Sequence, residues 1–360
     1  MDARVSFPLD GSDEFPSEPR DELLRQSGVA AELGSDFVAN VLSAAYLQLD
    51  RAPNLAALID HWPDDPRASA MALRLNAGIH ALARQGVIAP LRALFAGEHD
   101  DFLVAIGEAL LLGEETLLAW MRYPTQTNEV ARSGAFMAAL MLLGHELGMP
   151  FELNEIGASA GLNLMLDRYD HRLGGCRAGK AGSPVVIAPE WRGKAPVAAP
   201  VAIAAARGVD LRPVRLTDPL ARERLQSYVW ADDFARAERL RQAIALARAD
   251  RPRVDRAHAA GWLAGRLAAP QAAGTCRVVL HSMVLQYLPA SERASVERTL
   301  AMAGARTDAR RPLVVIGFEW NAGRTEVHLA MRCWRGRHAD PQPRLLAICH
   351  AYGAWIDWRG

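Results

Sequence analysis

Residues 150–169, PFELNEIGASAGLNLMLDRY, put a carboxylate, Glu155, directly ahead of Gly157, Ser159 and Gly161 in the spacing E-x-G-x-S-x-G. Two chemistries use such a turn. A serine within G-x-S-x-G is the nucleophile of a hydrolase elbow, followed in chain order by an acid and a histidine, and Ser159 and His350 stand in that order here. Glycines at this spacing behind an acid form a ligand loop instead, because they free the backbone for unusual dihedrals and close approach. A helix starting near Ala160 is expected to aim free N–H groups and a partial positive charge at the same space. A nicotinamide-dinucleotide fingerprint fits poorly, since Ser159 replaces its second glycine and Leu162 its third. No G-K-[ST] follows, which excludes a P-loop.

Upstream, QTNEVARS carries Gln126, Thr127 and Asn128 at the expected start of a helix running to Leu147, with Thr127 as its cap. Asn128 and Arg132 then share a face at i, i+4, where an amide and a guanidinium suit the carboxylate of a cofactor or substrate. The plainer reading is a capped helix with a local Glu129–Arg132 pair. Downstream, CRVVLHSMVLQYLP ends a β run at His281 and Ser282. His281 is a candidate general base at a strand end, or a hydrogen-bonded structural residue. Tyr228, Trp230 and Tyr287 suit either a substrate pocket or a core.

The elements that must position these residues fall into two textures. Residues 1–20, acidic and proline-rich, read as a flexible tail. From 21 to 125 the chain alternates Ala/Leu-rich helical stretches with breaks marked by Gly86, Gly97, Gly113, Pro53, Pro63 and Pro66, and shows no strand pattern. Residues 126–360 alternate β runs and helices: FELNEIG, then an amphipathic helix with Leu162, Met165, Leu166 and Tyr169 on one face, then SPVVIAP and APVAIAAARGVDL. Helices follow over DPLARERLQSYVW and DDFARAERLRQAIALARAD, with Asp218 and Asp232 at their starts. VDRAHAAGWL, CRVVLHSMVL, the helix SERASVERTLAMAG, PLVVIGFEW, EVHLAMRCW and RLLAICHAYGAWIDW complete the order. Such alternation predicts an α/β fold with a helical N-terminal region and a doubly wound, mostly parallel Rossmann-like sheet.

Composition narrows the partners. Basic and acidic residues balance at 41 each, so no overall field attracts nucleic acid or anionic lipid. No apolar run reaches the ~18–20 residues of a membrane span, and the first twenty residues lack a basic start leading into an apolar stretch. Cys176, Cys276, Cys333 and Cys349 are scattered, without metal spacing, which predicts reduced thiols and a cytoplasmic setting.

The spacing around Glu155 resembles motif I of class I S-adenosylmethionine-dependent methyltransferases, usually [DE]-x-G-x-G-x-G, with Ser159 at the middle glycine. The resemblance implies that Glu155, Gly157, Ser159 and Gly161 hold the methionine end of S-adenosylmethionine. It also implies an acid for the ribose hydroxyls at the end of the second strand. Asp210 of RGVDL is preferred for that role; Glu190 takes it if VVIAP is the second strand. About 45 residues separate Gly161 from Asp210, above the usual ~30-residue βαβ unit, which predicts an inserted hairpin between VVIAP and PVAIAA. A polar residue at the third strand, Asp255 or His258, would meet the adenine edge, and Asn128 and Arg132 complete the expected cofactor set. QTNEVARS, EIGASAGLNLMLDRY, RGVDL with LTDP, YVW and VLHSMVLQYLP are similar to a bacterial family known as domain of unknown function 2332, over nearly the whole chain. The expected function is methyl transfer to an unknown small-molecule or other acceptor, with His281 as base. The alternatives are a non-catalytic methyltransferase-like binding protein, or a serine hydrolase using Ser159. An elbow normally follows several strands and an oxyanion loop, whereas residues 21–148 read as helical, which favours the ligand loop.

Overall fold

A computed structural model describes residues 18–336 and 341–360, and the chain forms two compact units that divide in sequence between Pro124 and Thr125. Residues 1–17 of the expected tail lie outside the described residues. Pro19–Asp21 is a 3-10 turn rather than tail, with Arg20 bonded to Asp50 and Asp60 at 2.9 Å each.

The first unit holds α1 (Glu22–Glu32), α2 (Asp36–Gln48), α3 (Pro53–Asp60), α4 (Met71–Gln85), α5 (Ala89–Phe95) and α6 (Phe102–Met121). Ser35 and Asp101 start α2 and α6 by accepting from Val38 N and Val104 N. Gly86 ends α4 in the left-handed region as expected. Gly113 does not break the chain: α6 runs through it, and its missing side chain leaves room for α4, since a Cβ there would lie 2.4 Å from Leu82 Cδ1. Pro53 opens α3, where a missing N–H costs nothing. No described helix is long and apolar enough to cross a membrane.

The second unit begins with α7 (Ser133–Leu147) and continues through β1 (Phe151–Ile156), β2 (Asp170–Leu173), β3 (Cys176–Gly179), β4 (Val186–Ile187), β5 (Glu190–Gly193) and β6 (Ile203–Asp210). Then come α8 (Pro219–Ser227), α9 (Phe234–Asp250), β7 (Val254–Arg256), α10 (Ala259–Ala268), β8 (Cys276–Ser282), α11 (Ala290–Gly304), β9 (Leu313–Trp320), β10 (Val327–Trp334), β11 (Arg344–Cys349) and β12 (Trp355–Trp358). Asp218 caps α8 as expected, while α9 is capped by Asp233 rather than Asp232.

The main sheet has nine strands in the order β5-β12-β11-β10-β9-β8-β1-β6-β7, and β3-β2-β4 form a second sheet. β9, β8, β1, β6 and β7 run parallel, and the direction of chain progress reverses at β1, between β6 and β8. The main sheet is mostly parallel, as expected, with five of its eight pairings parallel, and it departs from a fully parallel arrangement at its other side. β10, β11 and β12 are each antiparallel to the strand before, so the sheet is mixed. Only Asn321–Glu326 separate β9 from β10, too few for the dozen or more residues of a parallel crossover.

The expected helix after Ala160 is also replaced. Asn163–Arg168 form 3-10 turns kinked at Met165 (φ −102°, ψ 17°), and the chain passes through β2–β5 before returning to β6. Leu162, Met165, Leu166 and Tyr169 are all buried, as their spacing predicts. A longer helix is prevented because Tyr169 is already extended: its hydroxyl donates to Leu162 O at 2.6 Å, and Asp170 N donates to Val185 O. The insertion between β1 and β6 is therefore a sheet with its own pairing, not a single hairpin.

The pleat of β1 divides the core. Phe151 and Leu153 join Phe136, Leu140 and Leu143 of α7, while Ile156 joins Leu263 of α10 and Leu300 of α11. Each such fully buried side chain contributes about 1.5–3 kcal/mol. Glu155 lies on the α7 side of this pleat. All four cysteines are free thiols.

Candidate functional site

Three neighbouring strands end together. Ile156 of β1 is opposite Val209 of β6 and His281 of β8, so Gly157, Asp210 and Ser282 leave the sheet at one level. Residues 126–132 stitch these ends together in their spatial order. Gln126 Nε2 donates to Asp210 Oδ1 (3.3 Å) and Arg212 O (3.0 Å) beyond β6. Asn128 Oδ1 accepts from Ala160 N (2.9 Å) in the turn after β1, and Arg132 Nη1 donates to Ser282 Oγ (3.1 Å) at the end of β8. The expected helix from Asn128 is thereby displaced. Asn128 is left-handed (φ 42°), Val130–Arg132 form a 3-10 turn, and α7 begins only at Ser133. Glu129, not Thr127, supplies the cap by accepting from Ala131 N at 3.0 Å. Asn128 and Arg132 do not share a helix face, and Glu129 pairs with Arg236 instead of Arg132.

The turn itself has glycine geometry at all three expected positions: Gly157 (φ 71°), Ser159 (φ 52°) and Gly161 (φ 76°) are left-handed. Ser159 thus occupies a conformation that favours glycine. The turn does not present free donors. Gly157 N and Ala158 N donate to Val209 O, Ser159 N to Asp210 Oδ2, Ala160 N to Asn128 Oδ1 and Gly161 N to Ala158 O. The expected helix-terminus charge is absent with the helix. The glycines here admit protein: a Cβ on Gly157 would lie 2.5 Å from Val284 Cγ2, and one on Gly161 would lie 2.9 Å from Pro252 Cβ. On β6, a Cβ at Gly208 would meet Ala158 Cβ at 2.4 Å, so that glycine lets the turn close.

What the turn leaves uncommitted are side-chain oxygens. Glu155 is buried, its Oε1 accepting from Asn163 Nδ2 at 3.1 Å. Among the described residues Glu155 Oε2, Asn163 Oδ1 and Ser159 Oγ are buried and have no hydrogen-bond partner. Burial pushes the Glu155 carboxyl up to about 8; the Asn163 bond opposes this and the charge of Asp210 adds to it. Asp210 accepts from Ser159 N, Arg212 N and Gln126, which leaves one of its roughly four acceptor positions.

At the end of β8, His281 Nδ1 lies 2.8 Å from Glu319 Oε1 of β9, and the same oxygen accepts from Val284 N (3.1 Å) and Leu285 N (3.4 Å). Gly317 makes room for the ring, since a Cβ there would lie 2.4 Å from His281 Cε1. Nδ1–H donating to the carboxylate leaves the lone pair on Nε2.

A family model described as "Uncharacterized protein conserved in bacteria (DUF2332)" matches residues 20–358. The chain belongs to this family. No curated protein and no solved structure matches it.

Other sequence-derived candidates of this DUF2332 protein lie outside the stitched region. Glu190 is in β5, at the opposite edge of the sheet from β6, whereas Asp210 ends the strand beside β1. Asp255 is held by Arg207 Nε (2.7 Å) and by Trp262 Nε1 (2.6 Å). His258 precedes α10 with a side chain 78% exposed, 3.6 Å from Glu292. His350 follows β11, four strands from β1 in the order of the sheet. It packs on Tyr352 and Trp355.

Sequence reasoning missed Asn163, Gly208, Gly317, Glu319 and Arg236 as parts of the candidate site. The glycines interrupt β runs, a signal of close approach. Glu319 follows an apolar run as Glu155 does. Arg236 sits among the arginines of a charged helix and carries no such mark.

Proposed function

We propose that this DUF2332 protein is an S-adenosylmethionine-dependent methyltransferase whose cofactor lies over the turn after β1. The supporting observation is the donor–acceptor balance of residues 157–161. All five backbone N–H groups are spent on protein acceptors, whereas Glu155 Oε2, Asn163 Oδ1 and Ser159 Oγ have none to serve. A nucleotide phosphate needs donors at such a turn. A group carrying an ammonium and a sulfonium needs acceptors, and S-adenosylmethionine is such a group. The residues present therefore fit it: Glu155, Asn163 and Ser159 toward the ammonium, and the remaining acceptor position of Asp210 toward a hydroxyl. The reversal of strand order at β1 supports the same reading, because open α/β sheets bind ligands there.

When bound, the cofactor supplies a sulfonium-activated methyl group for in-line displacement. The chain holds the acceptor in line, which supplies most of the rate. Glu319 fixes the His281 tautomer, Nε2 takes the proton of the acceptor nucleophile, and Glu319 balances the resulting imidazolium. The methyl acceptor is a small molecule or another group at this edge.

Calorimetric titration of the full chain with S-adenosylmethionine and S-adenosylhomocysteine tests the reading. Both are expected to bind. Gly157→Val places a β-branched side chain at φ 71° against Val284. Left-handed strain of about 1–3 kcal/mol predicts roughly 5- to 150-fold weaker binding. Failure of the native protein to bind either compound overturns the cofactor; binding without turnover on any acceptor makes it a ligand-binding protein.

Gly317→Ala tests the base. The added methyl displaces the His281 ring, so kcat is expected to fall by about 100-fold, within the usual range for general base catalysis. Cofactor affinity should stay within twofold, because Glu155, Asn163 and Asp210 are untouched. An unchanged kcat would remove His281 from the mechanism.

A further inference from the structure

Arg236, in the first turn of α9, is 3% exposed, and its Nε donates to the equally buried Glu129. Its Nη1 and Nη2 are buried and have no hydrogen-bond partner among the described residues. Unsatisfied guanidinium donors are costly in an interior. None of the neighbouring carboxylates accepts from Nη1 or Nη2. Glu129 takes Arg236 Nε and Ala131 N, Asp233 takes the backbone N–H of Arg236 at 3.0 Å, and Glu319 takes His281, Val284 N and Leu285 N. Burial first, and the charge of Arg236 second, push the His350 pKa down.

The guanidinium is also held in place. It lies 4.1 Å from the centre of the Tyr352 ring, which Trp230 meets edge-on at 5.4 Å. Arg132, 7% exposed, lies within electrostatic range of Arg236, Glu129 and Tyr352. Its Nη1 reaches Ser282, the residue after His281. The Nη1 and Nη2 groups of Arg236 therefore belong to the same edge of the sheet as the proposed base.

We infer that Arg236, backed by Arg132, forms an anion-binding position beside His281, and that the methyl acceptor carries a carboxylate or phosphate group which this position holds. A planar fork with two free N–H-bearing nitrogens matches either oxyanion bidentately. That the anion belongs to a methyl acceptor rests on the methyltransferase reading; the anion position itself rests on Arg236 and Arg132.

The test follows thermal unfolding and tryptophan emission of the full chain, without cofactor, titrated with sodium acetate and with inorganic phosphate against chloride at matched ionic strength. One anion is expected to raise the midpoint saturably and shift the emission, with at least a tenfold preference over the other that tells carboxylate from phosphate. Trp230→Phe should remove the emission shift and keep the midpoint rise. Arg236→Lys preserves a cation for Glu129 but loses the fork, so the half-saturating anion concentration should rise at least tenfold. A response no different from chloride, or one unchanged in Arg236→Lys, overturns the inference, and the native titration decides even where that variant does not fold. Anion binding without S-adenosylmethionine binding sinks only the methyltransferase reading, and the reverse sinks only the anion position.

Discussion

Arg236→Met should destabilise the protein by about 3–5 kcal/mol, seen as a lower urea midpoint at an unchanged denaturant slope. The loss comes from Glu129 rather than from the arginine's own contacts. In the native chain burial pushes the Glu129 carboxyl upward, and the charges of Arg236 and Arg239, the Ala131 N–H and Arg132 together outweigh burial and hold it below its ordinary range. Methionine leaves that carboxylate buried opposite no fork. The sign with pH follows: a depressed carboxyl stabilises above its unfolded pKa of about 4.3, and this is lost as pH falls through the folded value. The gap between native and variant should therefore narrow on acidification. Adding Glu129→Gln should recover most of the loss, because the charge is then removed with its partner. A loss under 1 kcal/mol near neutral pH would show that Arg236 does not neutralise Glu129.

Glu155→Gln is expected to act in the opposite direction, stabilising the free protein by about 2–4 kcal/mol at pH 8. With its pKa raised to about 8, first by burial and then by Asp210 against the Asn163 bond, the folded carboxyl keeps a proton that the unfolded chain has released. The native state then binds more protons than the unfolded state between about pH 4.3 and 8, so its stability falls as pH rises through that window. Glutamine resembles the neutral acid, still accepts from Asn163, and has no proton to lose. The readout is the difference between native and variant urea midpoints at pH 5, 6.5 and 8. That difference should grow with pH; a constant difference would mean that Glu155 does not titrate there. Cofactor binding gives the second half of the test. An ammonium beside Glu155 draws off its proton, so native binding at pH 7 should release protons, read from heats in buffers of different ionisation enthalpy. The glutamine variant should release none from this position and bind at least about tenfold more weakly, a difference of about 1.4 kcal/mol.

Much of the second unit was legible because its signals are local. β runs of buried residues mark β1, β8 and β9, and the acid after GV marks the end of β6. The spacing of Leu162, Met165, Leu166 and Tyr169 correctly indicates burial, yet not the helix. A pattern of buried positions specifies which side chains face inward, while the backbone followed the strand pairing of Asp170 with Val185. The antiparallel half of the sheet was hidden for a related reason: β-strand residues look alike in both pairings, and the six-residue link after β9 decides between them.

By itself the sequence determined the strands β1, β6, β8 and β9, the place of the turn behind Glu155 and the need for unusual backbone at Gly157 and Gly161. These depend on neighbours in the chain. Tertiary structure decided the chemistry of that turn. Its N–H groups are taken by Asn128, 32 residues before Ala160, and by Asp210, 51 residues after Ser159, while Glu129 meets Arg236 at a separation of 107. Such bonds depend on which strand ends the fold brings level. They turn a loop read as a source of free donors into one that offers acceptors, with an arginine at the same edge of the sheet whose Nη1 and Nη2 have no hydrogen-bond partner among the described residues.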